Sequence, residues 1–265
     1  MTGEAGDFLR PTEGKLSIKY YGASEASLMH PEENQDAIGF DEKHGWAVVL
    51  DGVGGKKNGR LASQKGLKVI GEGLSKLRNF DTSKLQEIED ILATAHKKIQ
   101  ETEGEATMAL VKMVDTVGEK KVILYQLGDS RVYFLHGGKI SRLTFDSAVV
   151  PEEVAILNRL DDVENPDEMS AEERAMFKFR NITHTLGAKT FRSADYAMRR
   201  LSKGDKIILT TDGVHDNLTT AEIEEVVASG GDTARALVSR AKDRSQTNHL
   251  RRKIDDISAI VIEVE

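Results

Sequence analysis

The sequence predicts an α+β fold, a four-layer α-β-β-α sandwich of two stacked, mainly antiparallel sheets flanked by helices. Three observations predict it: many short apolar runs rich in β-branched residues, a paired-glycine hairpin signal, and helical patterns that come in consecutive pairs instead of alternating one by one with strands.

The runs at 16–21, 46–50, 108–114, 122–127, 132–135, 206–211 and 258–264 read as strands, with a shorter one at 37–40. Two long helical patterns cover 59–77 and 83–103, where apolar residues recur at three- and four-residue spacing, and Ser83 is the expected N-cap of the second. Gly137-Gly138 separates 132–136 from 139–143, and paired glycines accept the positive φ of a two-residue hairpin. From 146 to 180 the chain turns acidic and helical. Pro166 breaks that stretch and Ser170-Ala171-Glu172-Glu173 has the form of a capped helix start, so an insertion over a strand end is expected. Helical patterns follow at 219–228, opened by Thr219 and early glutamates, and at 232–243. No internal repeat or proline-rich linker interrupts the chain, which predicts one domain over 15–265 behind an extension of 1–14.

Composition narrows the chemistry. The 265 residues include no cysteine, so a cysteine nucleophile and thiolate metal sites are excluded, and any metal must be held by oxygen or imidazole. The 44 acidic against 37 basic residues give a net charge of −7, which argues against nucleic acid as the ligand and directs attention to cation sites. No run of about 18 apolar residues occurs, and the N-terminus lacks the basic-then-apolar order of a secretory signal, so the expectation is a cytoplasmic protein with no membrane segment.

A set of aspartates stands at the ends of the apolar runs. Val48-Val49-Leu50 leads into Asp51-Gly52-Val53-Gly54-Gly55, and the run ending at Thr211 leads into Asp212-Gly213-Val214-His215-Asp216. Gly128 precedes Asp129-Ser130-Arg131, Asp255-Asp256 stands before the last strand, and Asn34-Gln35-Asp36 before a short one. A single Asp-Gly is usually a turn, because both residues favour turns. Several carboxylates meeting in a site of low dielectric would repel and protonate unless cations neutralised them. No D-x-[DN]-x-[DN]-G loop ending in glutamate is present, which removes the EF-hand calcium reading.

Taken in order, Asn34-Gln35-Asp36, Asp51-Gly52-Val53-Gly54-Gly55, Gly128-Asp129-Ser130-Arg131, Thr183-His184-Thr185-Leu186-Gly187, Thr211-Asp212-Gly213-Val214 with Asp216, and Asp255-Asp256-Ile257-Ser258 resemble the metal-dependent serine/threonine protein phosphatases of the PP2C (PPM) family. The resemblance runs from about Lys15 to Val264. It implies hydrolysis of phosphoserine and phosphothreonine in proteins by water activated between two Mg²⁺ or Mn²⁺ ions. Asp51 would bridge the ions, with the Gly52 carbonyl on one of them and Asp212 and Asp255 completing the other. Asp36 would touch a metal or its waters, Asp129 with Asp212 and Asp216 would form a weaker third site, and Asp256 would support Asp255. Implied partners are phosphorylated proteins and a serine/threonine kinase or its targets, with the chain a monomer.

All-oxygen donors suit hard ions, and two ions roughly 3.5–4 Å apart can orient a shared water for in-line attack. Nothing like G-x-S-x-G surrounds Ser130, so no serine nucleophile is expected. The chain departs from many relatives in three places. Pro31 stands where an arginine would grip substrate phosphate, leaving Lys56, Lys57 or Arg60 as substitutes. Val53 and Lys56 stand where some members carry histidine, so the general acid is unassigned, with His184 and His215 read as packing residues. Asp146-Ser147-Ala148 replaces Asp-His-Ser at the start of a flap-like insertion over 146–180. These losses motivate a second reading, a catalytically weak or inactive binding module on the same fold.

Overall fold

Two five-stranded antiparallel sheets lie face to face, in the strand orders β1-β10-β9-β6-β7 and β2-β3-β4-β5-β8. A computed structural model describes residues 16–53, 58–78, 80–116, 119–147, 159–163, 168–173, 184–191 and 193–265. The strands are β1 (Ile18–Glu25), β2 (Asp36–Asp41), β3 (Trp46–Asp51), β4 (Met108–Thr116), β5 (Glu119–Leu127), β6 (Arg131–His136), β7 (Lys139–Arg142), β8 (Asp195–Arg200), β9 (Lys206–Thr210) and β10 (Ile257–Val264). The helices are α1 (Gly59–Leu74), α2 (Leu85–Gln100), the single turn α3 (Asp212–His215), α4 (Thr220–Ala228) and α5 (Thr233–Ser245).

The layers follow from which face of each strand is apolar. Along β3, Val48 and Leu50 pack against Ala62, Ile70 and Leu74 of α1 and Leu92 and Ile99 of α2. The alternate residues Ala47 and Val49 face Val132, Leu209 and Ile260 of the other sheet. On β10, Ile260 and Ile262 point inward while Ala259 and Val261 meet Leu237 and Val238 of α5. Central strands are therefore buried on both faces and read as continuous apolar runs, without the alternation of a half-solvated antiparallel sheet.

The sequence-predicted strands and helix pairs are present. Gly137 and Gly138 turn the β6–β7 hairpin with φ of 58° and 79°. Thr219 and Glu222 form a reciprocal capping box, and Ser170 and Glu173 exchange the same pair of bonds. Three details differ. A 3₁₀ turn, Thr82–Lys84, precedes the second helix and is capped by Asp81, whose carboxylate accepts from the Ser83 amide at 2.8 Å, so Ser83 lies inside that turn and Lys84 stands at the α-helix N-cap without a side-chain capping bond. The first strand runs on to Glu25 because it pairs with β10 along its whole length. Strand β8, Asp-Tyr-Ala-Met-Arg-Arg, was not predicted: it is an edge strand, largely exposed, and its charges hide the apolar signal. The 1–14 extension, Gly54, Gly55, Lys56, Lys57, Thr183, Pro166 and most of 146–180 lie outside the described residues.

A buried ionic network fastens the start of the 146–180 stretch to the sandwich. Arg131, fully buried on β6, donates Nε and Nη2 to the two oxygens of Asp146 at 3.0 and 2.6 Å and pairs through Nη1 with Asp161 at 3.0 Å. Arg142 on β7 reaches the same two carboxylates. Asp146, expected as part of a flap, is thus a structural anchor held by a bidentate arginine. Replacing Arg131 with methionine should cost roughly 3–5 kcal/mol in urea unfolding, the usual cost of removing one side of a buried ion pair, whereas a loss under about 1 kcal/mol would mean that Arg142 alone satisfies both acids.

Candidate metal centre

The strand ends of both sheets deliver carboxylates to one place. Asp51 closes β3 and lies opposite Asp36, the first residue of β2, in the antiparallel register. Asp129 follows the β5 strand through Gly128, whose φ is 80°. Asp212 opens α3 where β9 ends, one residue after Thr211. Oxygen atoms of Asp51, Asp129 and Asp212 all lie within 4.8 Å of one another. That spacing accommodates one hard cation at about 2.3–2.6 Å from each oxygen.

Close backbone packing brings these segments together. A Cβ on Gly213 would stand 1.9 Å from the Asp256 carbonyl oxygen, so only glycine lets the first turn of α3 press against the residues before β10. A Cβ on Gly52 would stand 2.4 Å from the Gly59 backbone and 2.9 Å from the Gln35 carbonyl. Glycine after Asp51 is thus required by the start of α1 and by the chain before Asp36.

The supporting bonds separate the two adjacent acids at 255 and 256. Asp256 is buried and accepts from the Ser27 and Gln35 amides at 2.7 and 2.8 Å, which ties the loop between β1 and β2 into place just before Asp36. Asp255 is half-exposed, with one oxygen on the Asp256 amide and the other 3.3 Å from Lys253 Nζ. Asp36 is buried. Its Oδ2 accepts from the Thr211 hydroxyl at 2.8 Å, and its Oδ1 has no hydrogen-bond partner within bonding geometry among the described residues.

Crowding and burial act together on these groups. Burial raises the Asp51 carboxyl well above its ordinary range, reinforced by Asp212, Asp36, Asp255 and Asp129. Asp212 is likewise raised by burial and by Asp255, Asp129 and Asp216, against the opposing pull of Lys253. Asp36 is pushed up to about 7, first by burial and further by Asp256 and Asp255. A cluster that resists ionisation when empty of cations, with oxygen donors at ion spacing and an orphan acceptor beside it, fits a hard divalent cation.

Of the residues singled out by sequence, Asp51, Asp129 and Asp212 converge directly, and Asp36 adjoins them through Thr211 and the β2–β3 register. Asp216 and Asp255 meet Asp212 through Lys253, a residue the sequence reading did not single out. His215 is buried with Nδ1 2.9 Å from the Thr210 hydroxyl, in keeping with a packing role. Ser130 shares a bond of 2.7 Å with Thr107. Arg60 is exposed on the first turn of α1, and Pro31 is exposed in the loop that Asp256 anchors. Beside it, His30 Nδ1 lies 2.6 Å from the Glu33 carbonyl oxygen. Besides Lys253, sequence reading missed Thr211, whose only signal was its place before the Asp-Gly.

Comparison with known proteins places this geometry in context. Residues 28–255 match the family described as Protein phosphatase 2C. A protein of Streptococcus pyogenes serotype M6, described as of protein phosphatase 2C type, is 29% identical over 207 residues, covering 74% of this chain and 79% of its own. A serine/threonine phosphatase of Listeria innocua is 24% identical over 206 residues, with 76% and 78% covered. Among solved structures, the serine/threonine phosphatase PstP/Ppp of Mycobacterium tuberculosis superposes with a TM-score of 0.73 at 19% identity, over 94% of this chain and 99% of that one. The catalytic domain of PstP in complex with two manganese ions gives a TM-score of 0.71 at 19% identity, again over 94% and 99%.

The raised carboxyls set a pH dependence. For Asp36, at about 7 in the folded chain against 3.8 ordinarily, the folded state binds more protons than the unfolded one between those values, so stability falls as pH rises through them. Without divalent cations the Tm should therefore decrease from about pH 5 to about pH 8, and Mn²⁺ should restore it by binding the folded state. Thermal melts with EDTA and with Mn²⁺ check this, and an EDTA Tm that climbs over that range would refute it.

Proposed function

The chain belongs to the protein phosphatase 2C family, and we propose that its acid cluster holds two divalent cations, Mn²⁺ or Mg²⁺, and hydrolyses phosphoserine and phosphothreonine in proteins. The observation that carries this reading is the meeting of Asp51, Asp129 and Asp212, from the ends of both sheets, within 4.8 Å. The relatives named as serine/threonine phosphatases support the substrate class, and the neighbour complexed with two manganese ions supports the number of ions.

Asp51, the Gly52 carbonyl, Asp212 and Asp255 would hold the ions, with Asp51 the carboxylate shared between them. Asp129 with Asp212 and Asp216 would serve a weaker third position. Bound as a pair, hard divalent cations supply a water that is nucleophilic at neutral pH and offset the charge of a phosphoryl group. Asp36 would accept from a metal-bound water or touch a metal through Oδ1, while the Thr211 hydroxyl fixes its other oxygen. The Ser130 hydroxyl is committed to Thr107, in keeping with direct attack by water and no covalent serine intermediate.

Leu28 and Met29 are exposed on the loop that Asp256 anchors, and they offer an apolar rim suited to a polypeptide substrate. No helix among the described residues is long and apolar enough to cross a membrane. We place the protein in the cytoplasm as a monomer opposing a serine/threonine kinase; the relatives named as serine/threonine phosphatases support phosphorylated proteins as its partners.

Purified protein should hydrolyse para-nitrophenyl phosphate and a phosphothreonine peptide with Mn²⁺ and lose activity in EDTA. Asp51→Asn and Asp212→Asn should each lower kcat by more than the about 100-fold that loss of an outer partner of a metal ligand costs, with circular dichroism unchanged. Manganese uptake without turnover on any substrate would favour the binding-module reading, and retained turnover in both variants would remove the assignment of the site.

A further inference from the structure

Lys253 stands among the acids with its ammonium group paired to three of them. Nζ contacts Asp212 directly and lies 3.2 Å from Asp216 and 3.3 Å from Asp255. The backbone of residue 253 is pinned as well. Asn217, fully buried, accepts from the Lys253 amide through Oδ1 and donates through Nδ2 to the Lys253 carbonyl, both at 3.0 Å. The same Nδ2 donates to the Gly213 carbonyl at 2.8 Å, so the lysine is held in register with the turn that carries Asp212 and Asp216. Two residues earlier, Arg251 is fastened by donating to the His215 and Leu218 carbonyls at 3.0 and 3.3 Å. A lysine so placed differs from a surface side chain that happens to reach an acid.

The acids thus present two adjoining groups that share Asp212. One comprises Asp51, Asp129 and Asp212, and the other, Asp212, Asp216 and Asp255, contains the chain's own ammonium. We propose that Lys253 is a tethered counter-ion that competes with a divalent ion for the Asp212–Asp216–Asp255 position and so sets how much metal the site requires. The inference rests on the reading of this cluster as a metal site. Two like charges cannot share three carboxylates at contact distance without strong repulsion, so a divalent ion enters that position only when the ammonium swings out. The side chain is about one-third exposed and has a route to solvent. An ion that draws on Asp212 together with Asp216 or Asp255 should accordingly bind more weakly than one that does not meet the ammonium.

The test is a Mn²⁺ titration followed by the electron paramagnetic resonance signal of free Mn²⁺, on the whole chain with Lys253 intact, as Lys253→Met and as Lys253→Arg. Methionine keeps much of the bulk and removes the charge, and arginine keeps the charge. The expected result is that Lys253→Met tightens the weakest Mn²⁺ class by about tenfold or more, or adds one ion per chain, while Lys253→Arg stays close to the parent. Thermal melts supply a second readout: in EDTA the methionine variant should melt lower than the parent, and it should gain more on Mn²⁺ addition. Unchanged affinity and stoichiometry in Lys253→Met overturn the inference and leave the metal-site reading standing. Absence of Mn²⁺ binding in all three proteins overturns both.

Discussion

Mutual repulsion among aspartates is the constraint on which the site end of this structure depends. Asp36, Asp51 and Asp212 are each raised first by burial and then by neighbouring aspartates, so the folded chain concentrates negative charge away from solvent. An arrangement that works against its own stability is retained when something else resolves the charge. Here the partial resolution is internal: one ammonium, Lys253, whose own ionisation is opposed by burial and restored by Asp212, Asp216 and Asp255. One positive charge among so many acids leaves room for more, which is the physical content of a metal site.

The sandwich makes this concentration possible. Antiparallel strands bring chain ends back to the same side, and stacking two sheets puts the ends of β3 and β5 beside the end of β9 and the start of β10. The aliphatic layer between the sheets, from Val49 and Val111 to Leu209 and Ile260, holds those ends at a fixed separation. Gly213 and Gly52 then remove the side chains that would keep the loops apart. The carboxylates are positioned by strands and close backbone contacts, and the glycines beside them serve packing as much as chemistry.

Much of this was legible in the sequence because the determinants are local. The apolar runs, the Gly137-Gly138 turn and the Thr219 cap each carry their own signal, and the aspartates stand at run ends where a ligand would be presented. Strand β8 was not legible, since an edge strand needs few apolar residues and its identity comes from pairing with β5. Which of Asp255 and Asp256 faces the site depends on bonds to Ser27 and Gln35, more than 200 positions away. Lys253 was hidden for the same reason: a lysine two residues before an acid pair looks like a solvated surface residue until α3 folds against it. The Arg131 guanidinium reaches Asp146 and Asp161, a partnership no short-range pattern announces.

The segment before β10 does more than supply an acid. Arg251 donates Nη1 to the Leu160 and Val163 carbonyls of the inserted stretch and Nη2 to the His215 and Leu218 carbonyls at the end of α3. Both ends of that guanidinium are buried, so neither set of carbonyls can leave without stranding donors in the interior. Arg131 and Arg142 hold Asp161 from the opposite side. The described part of the insertion is thus fastened to the sheet by charge and to the acid-bearing turn by backbone bonds, two residues from Lys253. Arg251 is thus the side chain shared by the described part of the insertion and the turn that carries Asp212 and Asp216.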